Sequence, residues 1–405
     1  MRKRRLRLGV AGLGRGFMLM LPTLAQHPKL KLVAAADPRP EARVRFATDF
    51  HAPAFETVGE LCRDPDVEAI YIATPHQFHV EHVKLAAGAG KHVLVEKPMA
   101  LCLTECRAMI EAARRGGIKI VVGHSHSFDR PYLRAREIIE EGHLGAVRMI
   151  TALNYTDFLY RPRRPEELNT SEGGGVVWSQ AAHQVDIVRL LAGGRVRTVR
   201  AATGRWDPTR PTEGAYSAFL TFEEGAFATL AYSGYGHFDS DEFGGWIGEL
   251  GQTRQDRKYG EARRKLRTIK SPAEEAELKK TQSYGVDASA AAQYTKPHAH
   301  NHFGLIVISC ERGDLRPLPN GVRVYTDDAE FLDKLPAGQV PRSEVIDELY
   351  DAAVDNRPTL HSGEWGLATT EVCLAILQSA AEGRELVLHE QVAALSKMGS
   401  EPLAQ

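Results

Sequence analysis

The chain has 405 residues, 43% of them hydrophobic and 25% charged, with a formal net charge of -1. That length exceeds one ordinary core, so two domains are expected, and the composition is that of a folded globular protein. The near-neutral charge excludes a general attraction for nucleic acid or for an anionic membrane surface.

Residues 1–7 are strongly basic, but the apolar run Leu6 to Ala11 that follows is short and meets glycines at once. It reads as a first strand and not as the core of a signal peptide. No apolar run is long enough to span a bilayer. Five scattered cysteines make no disulfide framework, so the expected location is the cytoplasm. Cys102 and Cys106 read as buried small hydrophobes. No metal site is expected.

Further strands are predicted at Leu30 to Ala36, Val67 to Ala73, His92 to Val95 and Ile118 to Val122. Helical patterns separate them. Thr57 to Glu60 fits a capping box, and Thr104 to Arg115 stops at Gly116. Pro22 is expected to kink or restart the first helix. Strands alternating with helices predict a doubly wound parallel sheet over 1–126.

The pattern then changes. A helix is predicted over Pro131 to Glu141, a strand over Val147 to Tyr155, and a helix over Val176 to Ala192. Strands follow at Val196 to Thr203, Ala215 to Phe222 and Ala226 to Ser233, the last two joined by a hairpin turn at Glu223 to Gly225. Residues 236–300 form a long excursion, followed by strands near Phe303 to Cys310 and Val322 to Tyr325 and a helix from about Gly366 to Glu382. This is an α+β domain with a mostly antiparallel open sheet, spanning 127–395, for binding substrate and for assembly into a dimer or tetramer. The class is α/β overall.

Gly12-Leu-Gly14-Arg15-Gly16 follows the first strand and opens a helix. Glycines there allow a tight turn and close approach to a pyrophosphate at the helix N-terminus. A strict fingerprint would place its third glycine at Phe17. Asp37 ends the next strand about 20 residues on, the place of a ribose-binding carboxylate. NAD is therefore the expected cofactor, while the nearby Arg39 leaves NADP open.

Glu96-Lys97-Pro98 after a buried strand, Ala73-Thr74-Pro75-His76 before it, and Gly173-Gly-Gly175 leading to His183 and Asp186 complete a pattern. Together these resemble the Gfo/Idh/MocA oxidoreductases. The resemblance implies that Lys97 lies near the nicotinamide and the reacting oxygen, that His183 is the base, and that Thr74, Pro75, His76, His79 and Glu96 line the cofactor. It allows a cis bond before Pro98. Histidine can take a hydroxyl proton at neutral pH, and an ammonium beside the oxygen stabilises developing charge.

Relatives carry Asp four residues before the histidine; here Ser179 stands there, one helical turn from His183 and on the same face. Asp186 offers a substitute partner. The segment around His183, with Tyr160 to Pro165 and His237 to Trp246, is more similar to the phthalate 4,5-cis-dihydrodiol dehydrogenase branch. The implied reaction oxidises an anionic small molecule, a cis-dihydrodiol carboxylate, to a catechol. Arg161, Arg163 and Arg164 are the candidate carboxylate clamp, because a guanidinium binds a carboxylate through two parallel bonds. His124, beyond the fifth strand, is a candidate substrate contact. His298, His300 and His302 alternate, but no carboxylate or cysteine stands close to complete a metal set. A sugar or inositol dehydrogenase and a non-catalytic dinucleotide sensor are the competing classes.

Overall fold

The computed structural model describes residues 4–254, 260–286, 298–338 and 340–395. Parts of the expected excursion, at 255–259 and 287–297, lie outside the described residues, as does the start of the basic lead-in.

Six strands form the first sheet: β1 (Leu6–Ala11), β2 (Leu30–Ala36), β3 (Ala54–Phe55), β4 (Ala69–Ile72), β5 (His92–Val95) and β6 (Ile120–Val122). All pair in parallel, in the order β3-β2-β1-β4-β5-β6. β4 and β6 are buried at every position, as strands covered by helices on both faces must be. The order reverses between β1 and β4, which opens a crevice beyond their carboxyl ends. Thr57 caps helix Val58–Arg63 through the expected capping box with Glu60. Helix Arg15–Gln26 runs on through Pro22 without restarting. The missing N–H costs one backbone bond, and burial of Phe17, Met20, Leu21 and Leu24 offsets it.

Nine strands form the second sheet: β7 (Val147–Tyr155), β8 (Val196–Gly204), β9 (Ala215–Phe222), β10 (Phe227–Ser233), β11 (Leu305–Cys310), β12 (Gly313–Leu318), β13 (Gly321–Tyr325), β14 (Glu330–Lys334) and β15 (Leu386–Val387). Their order is β14-β13-β12-β11-β7-β10-β9-β8-β15, and every neighbouring pair is antiparallel except β7 with β10. The β9–β10 hairpin turns at Gly225, whose φ of +88° is open to glycine. Helices Arg130–Glu140, Ala182–Ala192 and Gly363–Glu382 bury one face of the sheet in a common core. Met149, Phe219 and Phe227 stay partly exposed.

The chain returns to the first sheet late. Helix Ser343–Ala353 packs Val345, Ile346, Leu349 and Tyr350 into the same core as Leu8, Val10, Phe17 and Met20. The Val122 N–H donates to the His361 carbonyl at 2.8 Å. A division at residue 126 therefore separates the first pass of the chain but not the core, which later residues complete. Of the cysteine pair, Cys106 is buried as expected but Cys102 is exposed. Among the described residues, no helix is long and apolar enough to cross a membrane.

Candidate active site

The crevice beyond β1 is shaped for a dinucleotide. Gly12 has φ +90°, and a Cβ there would stand 3.0 Å from the Ala73 carbonyl. Around a Cβ at Gly14 there is open space. Helix Arg15–Gln26 starts from Gly14 without any side-chain cap, so its first N–H groups and its positive dipole end face the cleft. The residues present fit NAD.

Asp37 accepts the Leu13 N–H at 2.7 Å, and the Arg39 N–H and Nε–H both at 2.9 Å. Arg39 also donates to the Leu13 carbonyl at 2.9 Å and to the Tyr284 carbonyl at 3.3 Å. Its fork is committed to closing this corner, which disfavours a 2′-phosphate. The Phe17 side chain is turned away from the cleft. It is fully buried, against Phe46 and edge-on to Tyr284 at 5.2 Å. His79 is likewise buried, with one nitrogen on the Thr74 carbonyl and the other on the Met99 carbonyl. It fixes the loops beyond β4 and β5 from behind. The Thr74 hydroxyl pairs with His82 at 3.0 Å, and Pro75 leads into the short turn His76–Phe78. A Cβ on Gly173 would lie 2.5 Å from the His76 ring, so the glycine triplet presses on this loop. Glu96 accepts from the Tyr71 hydroxyl.

The Lys97–Pro98 bond is cis, as is Gly123–His124. Lys97 Nζ donates to the Ser179 carbonyl at 2.9 Å. Burial lowers the lysine pKa below its ordinary value, against the pull of Glu96 and Glu249. His183 is buried, and its Nδ1 has no partner among the described residues. Burial, then the charge of Lys97, pushes its pKa well below the ordinary value, so it is neutral at pH 7. A neutral imidazole with a free nitrogen beside an ammonium is equipped to receive a proton.

Ser179 does not orient His183 as its spacing predicts. Val177–Ala181 is a π-helical turn, and the Ser179 hydroxyl donates back to the Gly175 carbonyl. The widened turn breaks the simple i, i+4 relation and aims the carbonyl at Lys97. Asp186 does not pair with His183 either. It accepts from the Ser127 and Thr369 hydroxyls, at 2.5 and 2.8 Å, and from the Trp365 indole.

Beside His183 lies a cluster of which the sequence singles out only His124. The His126 ring meets His183 edge-on at 4.8 Å. His126 bonds Asp129 through Nδ1 at 2.5 Å and Glu249 through Nε2 at 3.0 Å. Burial opposes its charge, but the two carboxylates raise its pKa above the ordinary value. His124 is buried and turned to Asp129 at 3.3 Å; burial, then Arg342, holds its pKa down to about 3. Arg342 sits in left-handed backbone at φ +50°. No ion pair of Arg342 is found among the described residues, and its charge bears on Arg15, Lys97, His124 and His183. His126 adjoins a residue that was singled out. Glu249 and Arg342 come from irregular segments with no periodic signal.

The three arginines part company. Arg161 lines a polar cavity of about 410 Å³, together with Asn154, Tyr160, Glu249 and Arg254. Its Nε–H donates to Asp157 at 3.1 Å. Arg163 is buried, stacked 3.6 Å over Phe158, and its backbone N–H holds Glu275 at 2.7 Å. Arg164 pairs with Glu166 and Glu167 near the surface. Arg163 and Arg164 are thus engaged by the protein's own groups and do not line the cavity. His300 and His302 bond separate carbonyls, of Pro336 and Ile247. Among the described residues, no group of three or more His, Cys, Asp or Glu is placed to hold a metal.

Known proteins share this architecture. The family model described as an oxidoreductase family with an NAD-binding Rossmann fold matches residues 6–124, and the GFO/IDH/MocA C-terminal domain model matches 132–250. The 1-carboxy-3-chloro-3,4-dihydroxycyclohexa-1,5-diene dehydrogenase of Comamonas testosteroni is 48% identical over 92% of this chain and 94% of its own length. A crystal structure from Bordetella bronchiseptica RB50 is 44% identical over 95% of this chain and all of its own, with a TM-score of 0.90. The WlbA dehydrogenase of Bordetella pertussis, solved with NADH and UDP-GlcNAcA, has a TM-score of 0.66 at 21% identity, covering 95% of this chain and 99% of that one. At that distance the likeness shows the fold alone.

Proposed function

Because this chain belongs to the Gfo/Idh/MocA oxidoreductases, we propose that it is an NAD-dependent dehydrogenase that oxidises a cis-dihydrodiol bearing one ring carboxylate to the catechol acid. The observation that carries this reading is the polar cavity of about 410 Å³ lined by Arg161 and Glu249, the latter bonded to His126, whose ring in turn meets His183. That volume suits a single small ring. Of the two arginines lining the cavity, Arg254 is held by Asp239 and Asp241, which leaves Arg161 to meet one carboxylate and not the two of a phthalate diol. The relative from Comamonas testosteroni is named for a diol of this monocarboxylate kind.

NAD, when bound, supplies the acceptor for the hydride leaving the carbinol carbon. The chain's part is the proton. His183 receives the hydroxyl proton, and Lys97, anchored on the Ser179 carbonyl, stabilises the charge growing on oxygen. The ketone so formed tautomerises, its oxygen gaining a proton as the neighbouring carbinol carbon loses one, and becomes the aromatic catechol. Aromatisation drives the step and lessens the demand on a weak base. The partly exposed Met149, Phe219 and Phe227 support packing of the second sheet against another copy, as a dimer or tetramer.

NAD reduction followed across dihydrodiol carboxylates, phthalate 4,5-dihydrodiol, inositol and hexoses tests the substrate. Turnover is expected with the monocarboxylate diol, and Arg161→Ala is expected to raise its KM roughly 10- to 100-fold with little change in kcat. Turnover with inositol or hexoses alone would refute the reading. The pH profile of kcat/KM tests the two titrating groups. Because the His183 pKa is depressed, the acid limb should fall below pH 6.5. Because the Lys97 pKa is also depressed, the ammonium should be lost before pH 10.5, and Lys97→Arg should move that alkaline limb upward.

A further inference from the structure

We infer that Glu249 accepts a hydrogen bond from the second, non-reacting hydroxyl of the substrate's vicinal diol and so selects diols over single alcohols. The inference rests on the dihydrodiol reading above and deepens it. Glu249 Oε1 accepts from His126 Nε2 at 3.0 Å, while Oε2 has no partner among the described residues. The side chain is 34% exposed and lines the same cavity as Arg161. Burial works to raise its pKa, but the hydrogen bond and charge of His126, then Arg161 and Arg342, hold it down to about 2. Glu249 is therefore a carboxylate with one open oxygen, and a carboxylate only accepts.

The position follows from the neighbours. His126 stands between Glu249 and His183, touching both. Vicinal hydroxyls leave the ring on adjacent carbons, so when one is presented to His183 the other falls beside the base's neighbour. There the open oxygen waits for a donor. The backbone holds it in place: the Glu249 carbonyl accepts from the His302 N–H at 3.4 Å, and the loop closes with Gly248 N–H to the Gln252 carbonyl at 2.8 Å. A single alcohol would desolvate this carboxylate and give nothing back, the arrangement that rejects an analogue lacking a hydroxyl.

The test titrates the NAD-loaded protein with 3,4-dihydroxybenzoate, 3-hydroxybenzoate and 4-hydroxybenzoate, beside turnover of the dihydrodiol. Wild type should bind the dihydroxy acid roughly tenfold or more tightly than either monohydroxy acid. Glu249→Ala should abolish that preference, and Glu249→Gln, which keeps an acceptor for His126, should lower it. Affinity for the monohydroxy acids should not fall in either variant, which a merely structural lesion would not allow. A wild type without the preference, or either variant with all of it, overturns the proposal. Failure of the dihydrodiol reading is separate: it appears as a wild type that reduces NAD with none of the dihydrodiols.

Discussion

Lys97→Met is expected to lower kcat about 10³-fold, within the range of a lost charge-stabilising and proton-handling group. The ammonium is buried and has one hydrogen bond, to the Ser179 carbonyl. Methionine fills a similar volume without charge. It removes the ammonium near His183 that rewards oxygen for becoming anionic, and it leaves the NAD cradle at Gly12 and Gly14 untouched. Steady-state rates and NADH binding, measured on the same preparation, separate the two effects. NADH affinity should hold within about threefold while the rate collapses. Because the variant also relieves a buried charge, its melting temperature should not fall. A variant that turned over substrate at the wild-type rate would remove Lys97 from the chemistry.

Asp186→Ala should cost about 3 to 5 kcal/mol of stability, measured by urea unfolding, as expected when one partner of a buried charge pair is lost. Arg189 is fully buried, 4.0 Å from Asp186 and 3.8 Å over the Trp365 ring. Removing the carboxylate strands that guanidinium and releases the Ser127 and Thr369 hydroxyls and the Trp365 indole together. Asp186→Asn keeps some of these bonds and should cost less. If Asp186 instead tuned His183, the variant would unfold at the wild-type urea concentration and lose only rate.

The readable parts of the sequence were those where chemistry and local geometry coincide. Gly12 must be glycine because its φ is +90° and backbone meets backbone there, and the sequence places it directly after a strand. The Thr57 capping box and the β9–β10 turn at Gly225 are likewise local. Ser179 misled because a helical spacing was assumed across a π-turn, whose extra residue leaves no compositional trace. The arginine triplet misled because adjacent residues around a 3₁₀ turn face different ways. Helix Ser343–Ala353 went unread between two irregular stretches, although its apolar residues 345, 346, 349 and 350 share one face. Glu249 and Arg342 reach the site only through long-range folding, from segments where periodicity says nothing.

That late helix bears on how such enzymes can be recombined. A cofactor half cut after residue 126 would lack Val345, Ile346, Leu349 and Tyr350, and would expose the side of Leu8, Val10, Phe17 and Met20 that they cover. It would also lose Tyr284, whose carbonyl holds Arg39 against Asp37. The dinucleotide half is thus not a transplantable cassette. Chimeras meant to exchange substrate range should keep one parent's Tyr284 and residues 343–361 with that parent's first 126, and exchange the rest of what lies between.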